Sequence, residues 1–245
     1  MDVFGIYKDK KQARFWEKAG EEFGHLHWVR AMISKDADER VEVQKINVPG
    51  NYFELSGTRA GIYGLLARGY REPEPGFAGE VSGAKVYEKL KKYFSIVDID
   101  TGGIDKIIDG FKSFEHYNHS DMLGEYTEIF LEPSLPFIPA YESIYISEKQ
   151  VMGNTTIEVQ KFYENNGFET STELPDHISN ELEFMEFLCK KNNKEIQKKF
   201  LDSHLLGWAH NFCGDLSAVA KSSGSKFYLN LSEITNYFMG MEHNL

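Results

Sequence analysis

Apolar residues recur every three or four positions along most of the chain beyond residue 56. In the stretch ELPDHISNELEFMEFL (173–188), Ile178, Leu182 and Met185 fall at i, i+4 and i+7, on one face of a helix. The same spacing predicts helices in six other stretches. These are 57–70, 86–94, 104–111, 121–131, 194–223 (the longest) and 229–241. The pattern therefore predicts an all-α fold.

The first fifty residues fit this pattern least well. Residues 11–34 favour one or two helices broken at Gly20 or Gly24. Residues 40–48 alternate apolar and polar positions, which predicts a short strand or an extended arm. We therefore divide the chain into an extension over 1–55 and a helical domain over 56–245.

Three prolines within seven residues interrupt the helical pattern, at Pro133, Pro136 and Pro139. A helix cannot continue through such a segment, so 131–145 should be a largely extended connection. Its aromatic side chains are Phe137, Tyr141 and Tyr145. This apolar content argues against disorder, and long ordered loops in compact domains are usually functional.

Composition narrows the class of protein. Apolar residues form 41% and charged residues 27% of the 245 positions, as in soluble globular proteins. The net charge of −11, without a basic segment that also carries stacking aromatics, argues against nucleic-acid binding. Cys189 and Cys213 form neither a CxxC pair nor a disulfide framework, which favours a reducing compartment. No stretch has the apolar length of a secretory leader or membrane span, so we expect a cytoplasmic protein.

The sequence Pro-Asp-His at 175–177 has two readings. In one, Asp176 is the N-cap of the following helix, and Glu181 interacts with the helix N-terminus and with His177 one turn away. In the other, the same residues form a site. A metal enzyme that uses His177 and Glu181 would need one or two more ligands, and no HExxH or cysteine pair supplies them. A serine hydrolase lacks its GxSxG turn.

Acidic residues concentrate in two stretches that contain no lysine or arginine, 120–145 and 171–188. Five lysines follow the second stretch at once, at 190, 191, 194, 198 and 199. Solvated helix faces explain this equally well. If the two stretches pack together, however, they form an apolar groove with an acidic rim, suited to a peptide with an apolar middle and a basic end.

The stretch 173–188 resembles the signature of the TorD/DmsD/NarJ family of molybdoenzyme maturation chaperones, E-x-P-D-H-x-x-x-E-L-x-F-M. Three further segments resemble the family in the same order. They are TRAGIYGLLARGYREPEP (58–75), EYTEIFLEPSLPFIPAYESIY (125–145) and FLDSHLLGWAHNF (200–212). Residues 1–55 have no clear family counterpart.

The resemblance implies a single-domain helical bundle of the TorD-like type that binds without turnover. Its partners would be the N-terminal leader, often twin-arginine, and the apoprotein of a molybdopterin oxidoreductase. From the sequence as a whole we expect no nucleic-acid partner, no stable membrane insertion, and no cofactor or metal of its own. An alternative is an assembly subunit that stays bound to a cytoplasmic redox enzyme. His177 would be a hydrogen-bonding or pH-sensitive contact. The implied leader-contacting residues are Tyr141, Glu142, Ser143, Tyr145, Pro175, Asp176, His177 and Glu181.

Overall fold

The computed structural model describes residues 52–97, 103–132, 138–146, 151–170 and 173–243. Within these ranges the regular elements are helices, which confirms the predicted all-α class. We number the α-helices α1 Ser56–Gly69, α2 Pro75–Ser82, α3 Lys85–Val97, α4 Ile104–Asp109, α5 His119–Tyr126, α6 Glu142–Tyr145, α7 Asn154–Asn165, α8 Ile178–Lys190, α9 Lys194–Ser203, α10 Ala209–Ser223 and α11 Lys226–Glu242. Shorter helical turns are Tyr52–Glu54, Gly110–Phe114, Thr127–Leu131 and Leu205–Gly207.

The core forms around two helix pairs, α1 with α8 and α10 with α11. The predicted face of α8, with Ile178, Leu182 and Met185, is fully buried. The Glu186 side chain of α8 lies over Gly64 of α1, where a Cβ would be 2.6 Å from its carboxyl carbon. The helical spacing in the sequence thus identifies the buried faces.

A buried ion pair, Arg59 with Glu242, joins α1 to α11. The Arg59 Nε–H donates to Glu242 at 2.9 Å, and an Nη of Arg59 donates to Gln197 at 2.7 Å. The Tyr63 hydroxyl also donates to Glu242, at 2.8 Å. Tyr52 donates to the same carboxylate and is fully buried. Packing onto the helical body therefore begins at least three residues before 55, while the division of the chain at 55/56 stays a prediction.

The predicted long helix over 194–223 is wrong in one respect, because it is broken at His204. The backbone of His204 leaves the helical region (φ −131°, ψ −89°), and the turn Leu205–Gly207 separates α9 from α10. His204 and Trp208 flank this turn, and both bond to carboxyl groups of distant segments. These tertiary hydrogen bonds outweigh local helix continuation, which Gly207 already weakens.

Two helices were missed by the spacing of apolar residues. Helix α2 begins with Pro75, a residue that is favourable at the first helical position. Helix α7 buries only a sparse set of residues, among them Val159 and Tyr163. Weakly amphipathic helices of this kind depend on tertiary packing more than on their own pattern.

The proline-rich connection is only partly extended. Residues 138–141 have no helical structure, but 142–145 form α6, which the prediction of a largely extended segment did not include. Residues 133–137, like the predicted helices in 11–34 and the predicted strand or arm at 40–48, lie outside the described residues. In the described part of the chain, no helix is long and apolar enough to cross a membrane.

Candidate functional site

The segment Ile138–Ile146, which we call the strap, lies across the start of α8. The Ile178 N–H donates to the Ala140 carbonyl at 2.8 Å, and the Glu142 N–H donates to the Asp176 carbonyl at 2.9 Å. Between these bonds, Tyr141 and His177 form an isolated antiparallel bridge. Two segments more than thirty residues apart in sequence, both parts of the predicted site, are thus joined through their backbones.

The N-cap of α8 is His177, which corrects the prediction that Asp176 caps this helix. His177 Nδ1 accepts from the Ser179 N–H at 3.2 Å and lies 2.7 Å from the Ser179 hydroxyl. Asp176 Oδ2 instead accepts from the Ser143 N–H at 3.2 Å, in the first turn of α6. Because the strap brings α6 beside Asp176, this carboxylate caps the neighbouring helix rather than its own.

His177 is held in its neutral form. Burial, and then the positive charge of Arg71, lower its pKa to about 3. A neutral ring is consistent with Nδ1 acting as acceptor for the Ser179 N–H. Of the two roles expected for His177, the structure therefore favours a fixed hydrogen-bonding contact over a pH-sensitive one near neutrality.

Two carboxyl groups meet beneath the strap. Glu142 comes from α6 and Glu181 from the first turn of α8, and both are buried. His204 Nδ1 lies 3.0 Å from Glu142, and the Trp208 Nε1–H donates to Glu181 at 3.1 Å. Glu181 therefore bonds to Trp208 rather than to His177, which was its expected partner.

Burial raises the pKa of both carboxyl groups. For Glu181, loss of hydration is the largest cause, followed by the negative charge of Glu142. For Glu142, loss of hydration raises the pKa and the hydrogen bond from His204 opposes it. Glu181 therefore favours its protonated form, whereas the hydrogen bond from His204 favours the ionised form of Glu142.

Several polar atoms around the start of α8 lack hydrogen-bond partners among the described residues. They are Ser143 Oγ, Asp176 Oδ1, Asn180 Oδ1 and Glu181 Oε1. Buried polar atoms in folded proteins are nearly always paired, so a cluster of exceptions marks a special position. The surrounding turn is nevertheless well fixed, since Asn180 Nδ2 donates to the carbonyls of Glu173 and Leu174.

The eight predicted site residues converge, but most of them face inward. Five are buried, namely Glu142, Ser143, Asp176, His177 and Glu181. Tyr141, Tyr145 and Pro175 are partly exposed, and Tyr145 stacks on Trp208. Three of the carboxyl groups that we expected at the rim of a groove are therefore buried instead, namely those of Glu142, Asp176 and Glu181. Their role in binding the leader stays a prediction.

The open edge of the site contains Tyr141, Pro175 and Glu173. The Tyr141 ring lies edge-on to His177 with 5.1 Å between ring centroids, and its hydroxyl donates to Glu173 at 3.4 Å. Burial, and then the Glu173 charge, raise the pKa of Tyr141 and keep it protonated. This edge combines an aromatic surface with a partly exposed carboxylate.

His204 and Trp208 were missing from the predicted site. Their segment resembled the family, but its helical spacing concealed the turn that directs both side chains at Glu142 and Glu181. A histidine and a tryptophan four residues apart beside a glycine were the available signal. In the described residues, no group of three or more histidine, cysteine, aspartate or glutamate side chains could hold a metal ion.

A cavity of about 330 Å³ opens on the other side of α8, between α1 and α3. Its charged lining is internally balanced: Arg71 pairs with Glu183, and Arg68 binds Glu80 at 3.1 Å. The pKa of Glu80 falls to about 2, chiefly because Arg68 and Lys89 hydrogen-bond to it. Paired charges of this kind leave little net charge for a ligand.

The family model for the nitrate reductase delta subunit matches residues 87–214, a little over half of the chain. The chain belongs to this family. Its members include the TorD/DmsD/NarJ maturation proteins, so the resemblance of the signature stretch is confirmed. The matched range includes both the strap and the start of α8.

Two relatives add detail to this delta-subunit family assignment. A Haemophilus influenzae protein described as the Tat proofreading chaperone DmsD is 30% identical over 115 residues. The match covers 45% of this chain and 55% of that relative, so the chain spans about half the length of the curated relative it matches. A crystal structure of a redox enzyme maturation protein from Archaeoglobus fulgidus has a TM-score of 0.50 at 22% identity, over 74% of this chain and 93% of the other. This second likeness shows the helical fold alone.

Proposed function

We propose that this protein is a cytoplasmic chaperone for a molybdopterin-containing oxidoreductase. It binds the N-terminal leader of the apoprotein, often a twin-arginine leader, and assists cofactor insertion and assembly before export. It acts by binding and performs no catalysis of its own. Membership in the delta-subunit family and the likeness to a Tat proofreading chaperone support this proposal.

The main observation behind the proposal is that hydrogen bonds join the two segments that resemble the family, the strap and the start of α8. The strap and the start of α8 share backbone hydrogen bonds at Ala140 and Asp176. The side chain of Asp176 adds a third bond by accepting from the Ser143 N–H, and His177 caps α8 at the same place. The strap and the start of α8 are already fixed against each other. Binding of a leader therefore does not have to order them, which lowers the entropic cost of binding.

In this proposal the open edge makes the first contact with the leader. Tyr141 and Pro175 offer apolar surface to the leader's hydrophobic segment, and Glu173 offers a carboxylate to an arginine. A guanidinium group binds a carboxylate through two parallel hydrogen bonds, which a lysine cannot reproduce. Because a disordered leader loses entropy on binding, we expect a Kd on the order of micromolar.

The test is a calorimetric titration with the leader peptides of molybdopterin oxidoreductases encoded in the same genome. We expect one leader to bind selectively. Glu173→Gln should weaken it about tenfold, the loss of one charged hydrogen bond. Substitution of lysine for the leader arginines should weaken it similarly in the wild type, with little further loss in Glu173→Gln.

Glu195→Gln is the matched control, because it removes one exposed carboxylate from α9. It should bind the leader as the wild type does. Asp176→Ala with His177→Ala then tests whether binding needs the strap fixed against α8, provided that circular dichroism shows native helix content. Failure of every leader to bind would contradict the proposal.

A second candidate function is an assembly subunit that stays bound to its redox enzyme. The description of the matching family as a reductase subunit favours it specifically. Native purification distinguishes the two. A stoichiometric complex that survives gel filtration supports a subunit, whereas free protein that captures leader peptide supports the chaperone.

A further inference from the structure

Glu142 and Glu181 form an acidic pair in the interior of the protein. Their residues are 2% and 0% exposed, and the negative charge of Glu142 helps to raise the pKa of Glu181. One belongs to the strap and the other to α8. Whatever holds these two groups together therefore also holds the strap against the helix.

The groups around the pair offer it little positive charge. His204, from the turn after α9, and Trp208, before α10, donate hydrogen bonds to it. Asp176, just before α8, adds negative charge, and the Tyr163 hydroxyl of α7 donates to the neighbouring Pro175 carbonyl at 2.9 Å. Among the described residues, no lysine or arginine forms an ion pair with either member.

The hydrogen bonds assign one proton to this pair. Both oxygens of Glu142 lie near His204 Nδ1, at 3.0 and 3.2 Å, as suits an ionised acceptor. On Glu181, Oε2 accepts from Trp208, whereas Oε1 has no hydrogen-bond partner among the described residues. A proton on Glu181 Oε1 would donate to Glu142 and satisfy both groups. Without it, two adjacent carboxylates would repel each other in a poorly hydrated interior.

We propose that a single proton shared by Glu142 and Glu181 keeps the strap closed on α8, and that its loss releases the strap. The inference deepens the proposed function and rests on it for its consequence, because the strap carries Tyr141 of the leader-binding edge. A strap that opens on proton loss makes the buried acceptors Asp176 Oδ1 and Glu181 Oε1 accessible to a cationic side chain. The proton thus regulates access to the same site.

The direction of the pH effect follows from proton counting. The closed strap binds one more proton than the open strap at any pH between the ordinary carboxyl range and the raised pKa of Glu181. In that window the ratio of closed to open strap falls as pH rises, by at most about tenfold per pH unit for one released proton. Rising pH therefore opens the strap, and acid closes it.

Hydrogen exchange of the free protein tests the inference without any leader. Protection factors of peptides covering 138–146, corrected for intrinsic exchange, are measured between about pH 5.5 and 8.5. In the wild type, protection of the strap should fall with pH, while protection of α11 does not. In Glu181→Gln the amide replaces the proton: Nε2–H donates to Glu142, and Oε1 accepts from Trp208. Its strap should stay protected across the range.

The matched control is Glu195→Gln, which should keep the wild-type slope because Glu195 is exposed on α9. A flat wild-type profile overturns the inference. So does a slope that persists in Glu181→Gln, because that variant has no shared proton to lose. Glu142→Gln repeats the test from the other side of the pair. These exchange results stand apart from the leader titration, so either proposal can fail alone.

Discussion

Two buried polar clusters in this protein differ in how completely they are paired. Around Arg59, one cation meets one carboxylate, Glu242, and the neighbouring side chains of Tyr63 and Gln197 complete the hydrogen bonding. Around Glu181, two carboxyl groups share the interior with a histidine and an indole, and four side-chain oxygens nearby lack partners among the described residues.

From this difference we infer different roles for the two clusters. The Arg59 cluster joins α1 to α11, and its side chains bond to one another. The Glu181 cluster joins a strap to a helix and leaves acceptors unused, which costs stability wherever no proton or ligand compensates. Proteins retain such costs mainly at functional sites, where the unused groups become contacts.

The largest effect should come from breaking the paired cluster. Arg59→Met leaves the Glu242 carboxylate buried without its cation and should lower the free energy of unfolding by about 3–5 kcal/mol. Urea denaturation followed by circular dichroism measures this. The double variant Arg59→Met with Glu242→Leu removes both charges and should recover a large part of the loss. A double variant as unstable as the single one would show that the charges are not the cause.

A smaller loss is expected at the unpaired cluster. Trp208→Phe removes the Nε1–H that Glu181 accepts, and an unsatisfied buried acceptor costs about 1–3 kcal/mol. The same urea experiment measures it. Trp208→Phe in the background of Glu181→Leu should cost less than in the wild type, because the acceptor is then absent. Equal losses in both backgrounds would attribute the effect to packing alone.

The unpaired cluster should also give stability a pH dependence. The pKa of Glu181 is raised in the folded protein, so its protonated form stabilises the fold below the ordinary glutamate range. That contribution is lost as pH rises toward the folded pKa. The free energy of unfolding of the wild type, relative to Glu181→Gln, should therefore decline between about pH 5 and 8. A relative stability that rises with pH would reverse the assignment.

The smallest loss of stability is expected at an exposed ion pair on α8. Lys190 lies 2.6 Å from Glu186, one turn earlier, and 64% of its side chain is exposed. Lys190→Gln should cost only about 0.3–0.5 kcal/mol, and less in high salt. Thermal unfolding at low and high salt measures this difference. A loss comparable to that of Arg59→Met would mean that burial does not decide what an ion pair contributes.

Much of the fold was predictable because its information is local. Helical spacing identified α1, α3 and α8, whose apolar residues follow the period of a helix whatever they pack against. Helix α2 was not predicted because a proline such as Pro75 can mark either the end or the beginning of a helix. The break at His204 was not predicted because it depends on hydrogen bonds between distant parts of the chain. Glu142 lies 62 residues from His204, and Glu181 lies 27 residues from Trp208.

The same distinction between local pattern and tertiary contact applies to the candidate site. The sequence by itself determined which segments take part, since Tyr141, Pro175, Asp176 and His177 stand in stretches that resemble one family. It also determined the helix start beside them. Only the tertiary structure decided that Asp176 caps α6 rather than α8, and that Glu142 and Glu181 meet inside. The physical reason is that spacing along a chain determines the face on which a side chain lies. Hydration, proton sharing and hydrogen-bond partners depend on segments that meet only when the chain folds.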